Sequence, residues 1–184
     1  HSSGICARLG ANGTLIGIDR DTDALQAAEK RLEPYACRKI FVQSNYAQIK
    51  EVLADLQIDK IDGALLDLGV SSFQLDNPER GFSYKFDGPL DLRLNPQAGI
   101  SAAERLKEVD REELAGMLVE NSDEPYAEEI SRCITGAVRR GEKVDTTTKV
   151  RELIEEALSF IPEKERKEAV KKACARTFQA LRID

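Results

Sequence analysis

Residues 61–72 read IDGALLDLGVSS, and this stretch decides the fold. The apolar run of residues 61–66 ends in the carboxylate of Asp67, and the chain then breaks into a turn rich in glycine and serine. This pattern is typical of a buried parallel strand that delivers an acid to the edge of an α/β sheet, where ligands bind. We therefore predict a strand over residues 61–68, with Asp67 in a ligand site.

A second acid, Asp19, closes the apolar run of residues 14–18 in the same way. Two acids at strand ends predict a site for a nucleoside-type cofactor, in which Asp19 accepts hydrogen bonds from the ribose hydroxyls. The glycine-rich turn that usually precedes such an acid is not in the sequence, and only residues 1–4 match its end. Two alternatives stay open: each acid is only a cap or turn residue, and His1 belongs to a disordered terminus.

Strands and helices alternate through the first part of the chain. We expect strands over residues 14–18, 39–43 and 61–68, a helix that begins at Asp21 or Thr22, and another capped by Asn45. This spacing predicts right-handed crossovers and a parallel sheet, and thus an α/β fold.

The pattern changes after residue 68. Residues 69–99 form a long connection that carries aromatic and cationic side chains, and we expect it to pack as the rim of an active site. From residue 101 only helices are predicted, with caps at Asp110 and at either Thr146 or Thr147. The expected domains are residues 1–100, a helical subdomain over 101–173, and a return to the α/β domain over 174–184.

Composition limits the function. The chain has 184 residues, a net charge of −6 and a pI of about 5.1, so RNA binding would need a local basic patch. Four scattered cysteines and one histidine do not predict a metal site, and reduced thiols in a cytoplasmic protein are the simplest interpretation. No secretory signal or membrane-spanning apolar run is visible.

The first and last residues suggest an internal piece of a longer protein, which would lack part of its sheet. Exposed strand edges invite pairing with another chain, so a homodimer is one expectation.

Four sequence blocks together resemble one family. The blocks are DLGVSSFQLD at residues 67–76, PERGFS at 78–83, DGPLDLR at 87–93 and ARTFQALRI at 175–183. With them the chain resembles the ribosomal RNA cytosine-N4 methyltransferases of the small subunit, the MraW/RsmH family. The resemblance implies a Rossmann-like class I fold with an inserted helical domain. It also implies methyl transfer from S-adenosylmethionine to the N4 amine of a cytosine in small-subunit ribosomal RNA.

The resemblance also implies roles for individual residues. His1 would be the tail of the cofactor loop, Asp19 would hold the ribose, and Tyr46 would lie beside the adenine. Asp67 and Gln74 would complete the pocket. Asp67 is the catalytic candidate, since its carboxylate would accept a hydrogen bond from the target amine or orient the cofactor.

Candidate RNA-binding residues lie in the connection and in the helical part. A base splayed out of the RNA would stack on Phe82 or Phe86, while cations hold flanking phosphates. These cations are Arg80, Lys85 and Arg93. Two further basic clusters are either solvated helix faces or an RNA-docking surface: Arg139, Arg140 and Lys143, and Lys164, Arg166, Lys167, Lys171 and Lys172.

Two other function classes stay open. Asp19 after a strand also suits a nicotinamide- or flavin-binding oxidoreductase, although that class needs three spaced glycines for the pyrophosphate. The other alternative is a non-catalytic module that binds RNA or the ribosome.

Overall fold

A computed structural model describes residues 1–67, 69–70, 77–95 and 97–183. The chain separates into two compact units, His1–Asp67 and Leu68–Asp184. Both boundaries expected at residues 100 and 173 fall inside the second unit, and the domain assignment stays a prediction. Residues 77–95 pack with the helices that follow them, and the last helix continues unbroken past residue 173.

The first unit is a small α/β arrangement. In chain order its elements are α1 (Ser2–Leu9), β1 (Thr14–Asp19), α2 (Thr22–Leu32), β2 (Arg38–Gln43), a 3₁₀ turn (Tyr46–Gln48) and α3 (Ile49–Asp55). The two strands pair in parallel, with Thr14 opposite Arg38 and Asp19 opposite Gln43. Asp21 caps α2, because its carboxylate accepts a hydrogen bond from the amide of Asp23 at 3.0 Å. The parallel α/β fold, Rossmann-like in its strand–helix–strand order, is confirmed.

The predicted third strand is wrong. Residues 61–67 lie outside any strand, and the side chains of Ile61, Leu65 and Leu66 are 46%, 59% and 60% exposed. An apolar segment becomes a stable strand only when a neighbour pairs its backbone and covers its side chains. Among the described residues no strand does so, since the sheet contains only β1 and β2.

A small core holds the first unit together. Cys6 of α1, Leu32 of α2 and Cys37 before β2 are buried, and Leu15 and Phe41 pack against them. Helix α1, which was not predicted from the sequence, thereby covers the sheet next to β1.

The second unit is helical. In chain order its helices are α4 (Ala102–Glu108), α5 (Arg111–Ser122), α6 (Ala127–Arg139), α7 (Thr147–Ala157) and α8 (Glu163–Ile183), preceded by a 3₁₀ turn (Pro78–Arg80). Asp110 caps α5 and Thr146 caps α7, as predicted. A complete capping box, which was not predicted, lies at Ser101 and Glu104.

Residues 77–95 pack onto these helices, so this part of the connection is not a free linker, and its role as the rim of an active site stays a prediction. Phe82, Leu90 and Leu92 are buried in the same core as the helices. The amide of Leu90 donates to the carbonyl of Asp145 at 2.9 Å, and the Thr147 hydroxyl donates to the carbonyl of Phe86 at 2.7 Å.

Two glycines allow the sequence blocks at residues 78–83 and 87–93 to interlock. Gly81 has a φ of 69°, and a Cβ on it would overlap the carbonyl oxygen of Pro89. A Cβ on Gly88 would overlap the carbonyl oxygen of Pro78. Each block therefore needs a residue without a side chain where the other passes.

Within the described ranges, no helix combines the length and apolar character needed to cross a membrane. All four cysteines are free.

Candidate active site

Asp19 lies where β1 ends. The amide of Ser44, just after β2, donates to the Asp19 carbonyl at 3.0 Å, so the two strands end at the same edge. One carboxylate oxygen of Asp19 accepts a hydrogen bond from the amide of Asp21 at 2.9 Å. The side chain is exposed, and no described residue donates to its other carboxylate oxygen.

Tyr46 follows β2 at this edge. Asn45 caps the 3₁₀ turn, because its side-chain oxygen accepts from the amide of Ala47 at 3.0 Å. The cap fixes the start of the turn and leaves the Tyr46 ring 59% exposed. An exposed aromatic ring at the carboxyl edge of a parallel sheet offers a flat surface to a ligand.

His1 and Asp67 form a pair that was not predicted from the sequence. Nδ1 of His1 lies 2.9 Å from Oδ2 of Asp67, and both side chains are mostly exposed. Because a carboxylate only accepts hydrogen bonds, Nδ1 is the donor, which fixes the orientation of both groups. Sequence reasoning gave each residue a role but not this contact, since 66 positions separate them.

Helix α1 connects the His1–Asp67 pair to β1. It packs against β1 and is joined to it by residues 10–13 alone. The chain must therefore reverse direction between them, so α1 begins on the side of the sheet towards which β1 runs. His1 is the N-cap residue of α1, and Asp67 contacts His1.

The first turn of α1 also offers unpaired donors. No side chain of the residues that the structure describes caps this helix, and its N-cap residue is His1. The first N–H groups of a helix have no partners within it, and together with the helix dipole they favour an anion. A carboxylate is a suitable partner for this end of the helix.

Three of the predicted RNA-binding residues serve packing within the second unit. Phe82 is 2% exposed, and the guanidinium of Arg80 lies 5.5 Å from its ring centroid and donates to the carbonyl of Leu94 at 3.1 Å. Arg93 makes two hydrogen bonds of 2.7 Å to Asp91, which hold the pKa of that carboxyl below its usual value. The buried ring of Phe82 does not favour the predicted stacking, and the RNA contacts of Arg80 and Arg93 stay predictions.

The other predicted RNA-binding residues are exposed. Phe86 is 51% exposed, and Lys85 and Arg139 also face solvent. Arg140 is exposed but lies 2.8 Å from Glu142 in an ion pair. Gln74, predicted to bind cofactor, lies outside the described residues.

The second unit contains a cleft of about 620 Å³ that was not predicted from the sequence. Its walls come from α7, α8 and residues 84–85, and it is lined by Tyr84, Lys85, Arg151, Glu155, Glu163, Arg166, Lys167, Val170, Lys171 and Cys174. The sequence does indicate which residues of α8 share the face that lines the cleft, because positions 163, 166, 167, 170, 171 and 174 recur with the helical period. Arg151 had no such signal, because only the tertiary fold brings α7 beside α8.

Two parallel strands joined by a helix, with an acid where the first strand ends, define a Rossmann-like unit of the class that binds nucleoside cofactors. Within the described ranges, no group of three or more His, Cys, Asp or Glu side chains could hold a metal ion. Comparison with known proteins then gives the family. The model of the MraW methylase family matches residues 1–184, and the chain belongs to this methyltransferase family. The family gives no support to the oxidoreductase alternative.

Curated relatives agree with this assignment. The chain is 50% identical to "Ribosomal RNA small subunit methyltransferase H 1" of Agathobacter rectalis, with 100% of the chain and 53% of the relative covered. It is 51% identical to the protein of the same name from Lachnoclostridium phytofermentans, covering 50% of it. It is 45% identical to "Ribosomal RNA small subunit methyltransferase H" of Carboxydothermus hydrogenoformans, covering 57%. The chain thus spans about half the length of the curated relatives it matches.

Proposed function

We propose that this chain takes part in methyl transfer from S-adenosylmethionine to the N4 amine of a cytosine in small-subunit ribosomal RNA. Family membership and the names of the relatives support the reaction class and the RNA substrate. The observation that carries the proposal is the His1–Asp67 contact, which orients one carboxylate in the same unit whose sheet edge carries Asp19 and Tyr46.

The residues at this edge fit the cofactor. The carboxylate oxygen of Asp19 that has no described partner would accept from the ribose hydroxyls, and the exposed ring of Tyr46 would stack on the adenine. The uncapped first turn of α1 would receive the carboxylate of the methionine part. When bound, the cofactor supplies an electrophilic methyl group on its sulfonium.

Asp67 would act on the target amine. The lone pair of the cytosine N4 is delocalised into the ring, so the amine is a poor nucleophile. A carboxylate oxygen that accepts a hydrogen bond from this amine favours a pyramidal nitrogen with a usable lone pair. Oδ2 of Asp67 already accepts from His1, and Oδ1 has no described partner and would take the amine N–H.

His1 would be a positioning residue. Its hydrogen bond of 2.9 Å fixes the direction of an otherwise exposed carboxylate. Alignment of reacting groups contributes roughly 7–11 kcal/mol to such reactions, so a freely rotating carboxylate would lose part of that gain.

Two substitutions separate cofactor binding from chemistry. Asp19→Ala should weaken binding of S-adenosylhomocysteine, measured by calorimetry, roughly 10- to 100-fold, because charged hydrogen bonds contribute about 1.5–3 kcal/mol. Asp67→Asn should leave that affinity within about threefold and lower methyl transfer to small ribosomal subunits by roughly 10²-fold or more. Asp62→Asn, a change at another exposed carboxylate of residues 61–67, is the matched control and should change neither value.

Native methyl transfer by Asp67→Asn would remove Asp67 from the reaction. Native affinity of Asp19→Ala would remove the ribose contact, and modification of a base other than cytosine would overturn the substrate assignment.

A further inference from the structure

The cleft between α7 and α8 has a charge opposite to that of the chain as a whole. Five cationic side chains line it against two carboxylates, Glu155 and Glu163, whereas the net charge of the chain is −6. A concave surface lined mostly by one sign of charge concentrates the field and attracts ligands of the opposite sign. The cleft is therefore a local basic patch of the kind that an acidic RNA-binding protein requires.

The cations of the cleft divide into fixed and available groups. Arg166 is fixed, since its guanidinium donates to the carbonyls of Ser159 and Ile161, both at 2.7 Å. Arg151 lies 3.6 Å from Glu155. In contrast, three ammonium groups make no hydrogen bond or ion pair with any described residue, namely those of Lys85, Lys167 and Lys171.

The geometry of the free cations suits a chain of phosphates. Lys167 and Lys171 are four residues apart on α8, which places them about 6 Å apart along the helix axis on one face. Such spacing allows each ammonium to meet a separate phosphate of a single strand. Lys85 approaches from a different segment and supplies a third contact.

Tyr84 adds an aromatic wall. Its ring packs edge-on against Phe178, with centroids 5.8 Å apart, so the ring is held in place. Burial raises the pKa of the Tyr84 phenol, which keeps the hydroxyl protonated and able to donate to a phosphate or a base. Fixed aromatic rings beside cations are the usual components of single-strand binding sites.

We infer that this cleft binds a single-stranded segment of RNA, with Lys85, Lys167 and Lys171 on its phosphates and Tyr84 beside a base. The inference rests on the proposed function and deepens it by assigning a docking site for the RNA substrate in the second unit. It also resolves the alternatives for the cluster at residues 164–172. Lys167 and Lys171 are docking residues, whereas Lys164 and Lys172 belong to the solvated face.

The test compares two pairs of lysines on one helix. Binding of a labelled single-stranded RNA of about 12 nucleotides is measured by fluorescence anisotropy over a range of salt concentrations. The Lys167→Ala, Lys171→Ala double variant should bind roughly tenfold more weakly at 0.1 M salt, and the slope of log K against log salt should fall by about 1.4, at about 0.7 for each phosphate that is no longer neutralised. The Lys164→Ala, Lys172→Ala double variant has the same net charge and should bind within about threefold of the unchanged chain, with the same slope.

Several results would overturn the inference. One is an equal loss of affinity in both double variants, which would mean that RNA responds only to net charge. Another is no loss in either variant, or no RNA binding by the unchanged chain even at low salt. Displacement of the RNA by poly-glutamate at an equal concentration of charges would indicate a surface for acidic proteins instead. Because all four lysines are exposed, melting temperatures should not change.

Failure of the docking site is distinguishable from failure of the proposed function. Affinity for S-adenosylhomocysteine, measured on the same variants, reports on the first unit and should be unchanged in all of them. Weakened RNA binding with intact cofactor binding supports the docking site. Intact RNA binding in a chain that binds no cofactor would count against the methyltransferase proposal only.

Discussion

The interlocked blocks around Gly81 and Gly88 make a quantitative prediction about stability. Four glycine-to-alanine changes separate two costs, a positive φ and a steric overlap. Gly81 has both features, because its φ is 69° and its missing Cβ would overlap the Pro89 carbonyl. Gly88 has the overlap alone, Gly141 has the positive φ of 79° with open space around it, and Gly116 in α5 has neither.

The expected free energies follow from these features. A positive φ costs an alanine about 1–2 kcal/mol, and an overlap with fixed backbone costs about 1–3 kcal/mol. Gly81→Ala should therefore lose about 2–5 kcal/mol, Gly88→Ala about 1–3 and Gly141→Ala about 1–2. Gly116→Ala should gain about 0.5–1 kcal/mol, because alanine is the better helix former.

Urea unfolding followed by circular dichroism measures the four free energies of unfolding, and thermal melts give an independent check. For a chain of this size Gly81→Ala should lower the melting temperature by at least about 4 °C, at about 2–4 °C for each kcal/mol. A cost of Gly81→Ala no greater than that of Gly141→Ala would refute this expectation. In that case the Pro89 carbonyl could move away from the new Cβ at residue 81 at no cost in free energy, and the two blocks would not constrain each other.

Three other changes test electrostatics and capping in the second unit. Asp91→Asn should destabilise the chain at pH 7, because Arg93 lowers the pKa of Asp91. The difference in unfolding free energy between the two chains should have its full size above about pH 4 and should vanish as the pH falls through the lowered pKa. Urea unfolding at several pH values measures this difference. The side chain of Glu124 is 0% exposed, and burial raises its pKa. As the pH rises through that pKa, the unchanged chain should therefore lose stability relative to Glu124→Gln. A difference in unfolding free energy that does not change with pH would contradict this prediction. Ser101→Ala should cost about 0.5–2 kcal/mol of unfolding free energy through loss of the α4 capping box, and Ser101→Thr should restore most of it.

Local signals in the sequence predicted much of the fold. The strands at residues 14–18 and 39–43 and the caps at Asp110 and Thr146 need only apolar runs and short polar side chains, and the structure confirms them. The strand predicted over residues 61–68 required a neighbouring strand, and apolar composition cannot say whether one is present. Helix α1 escaped prediction because residues 2–9 lack a clear apolar stripe.

The candidate site shows the same limit. Asp19 was placed by its position after an apolar run, and the structure has it at the end of β1. The contact of His1 with Asp67 was not predictable, since no local pattern connects residues so far apart in sequence. Phe82 and Phe86 have the same side chain and lie only four residues apart in the sequence, yet Phe82 is 2% exposed and Phe86 is 51% exposed. Only the packing of residues 77–95 decides which ring is available.

The His1–Asp67 contact depends on the rest of the first unit. It closes a loop of 66 positions, and the entropy of closing such a loop costs roughly 4 kcal/mol, whereas a polar contact between side chains as exposed as these contributes at most about 1 kcal/mol. The two side chains therefore stay together only because the helices and strands between them are in place. Any partial unfolding of this unit would separate them, so loss of the proposed chemistry should precede global denaturation on heating.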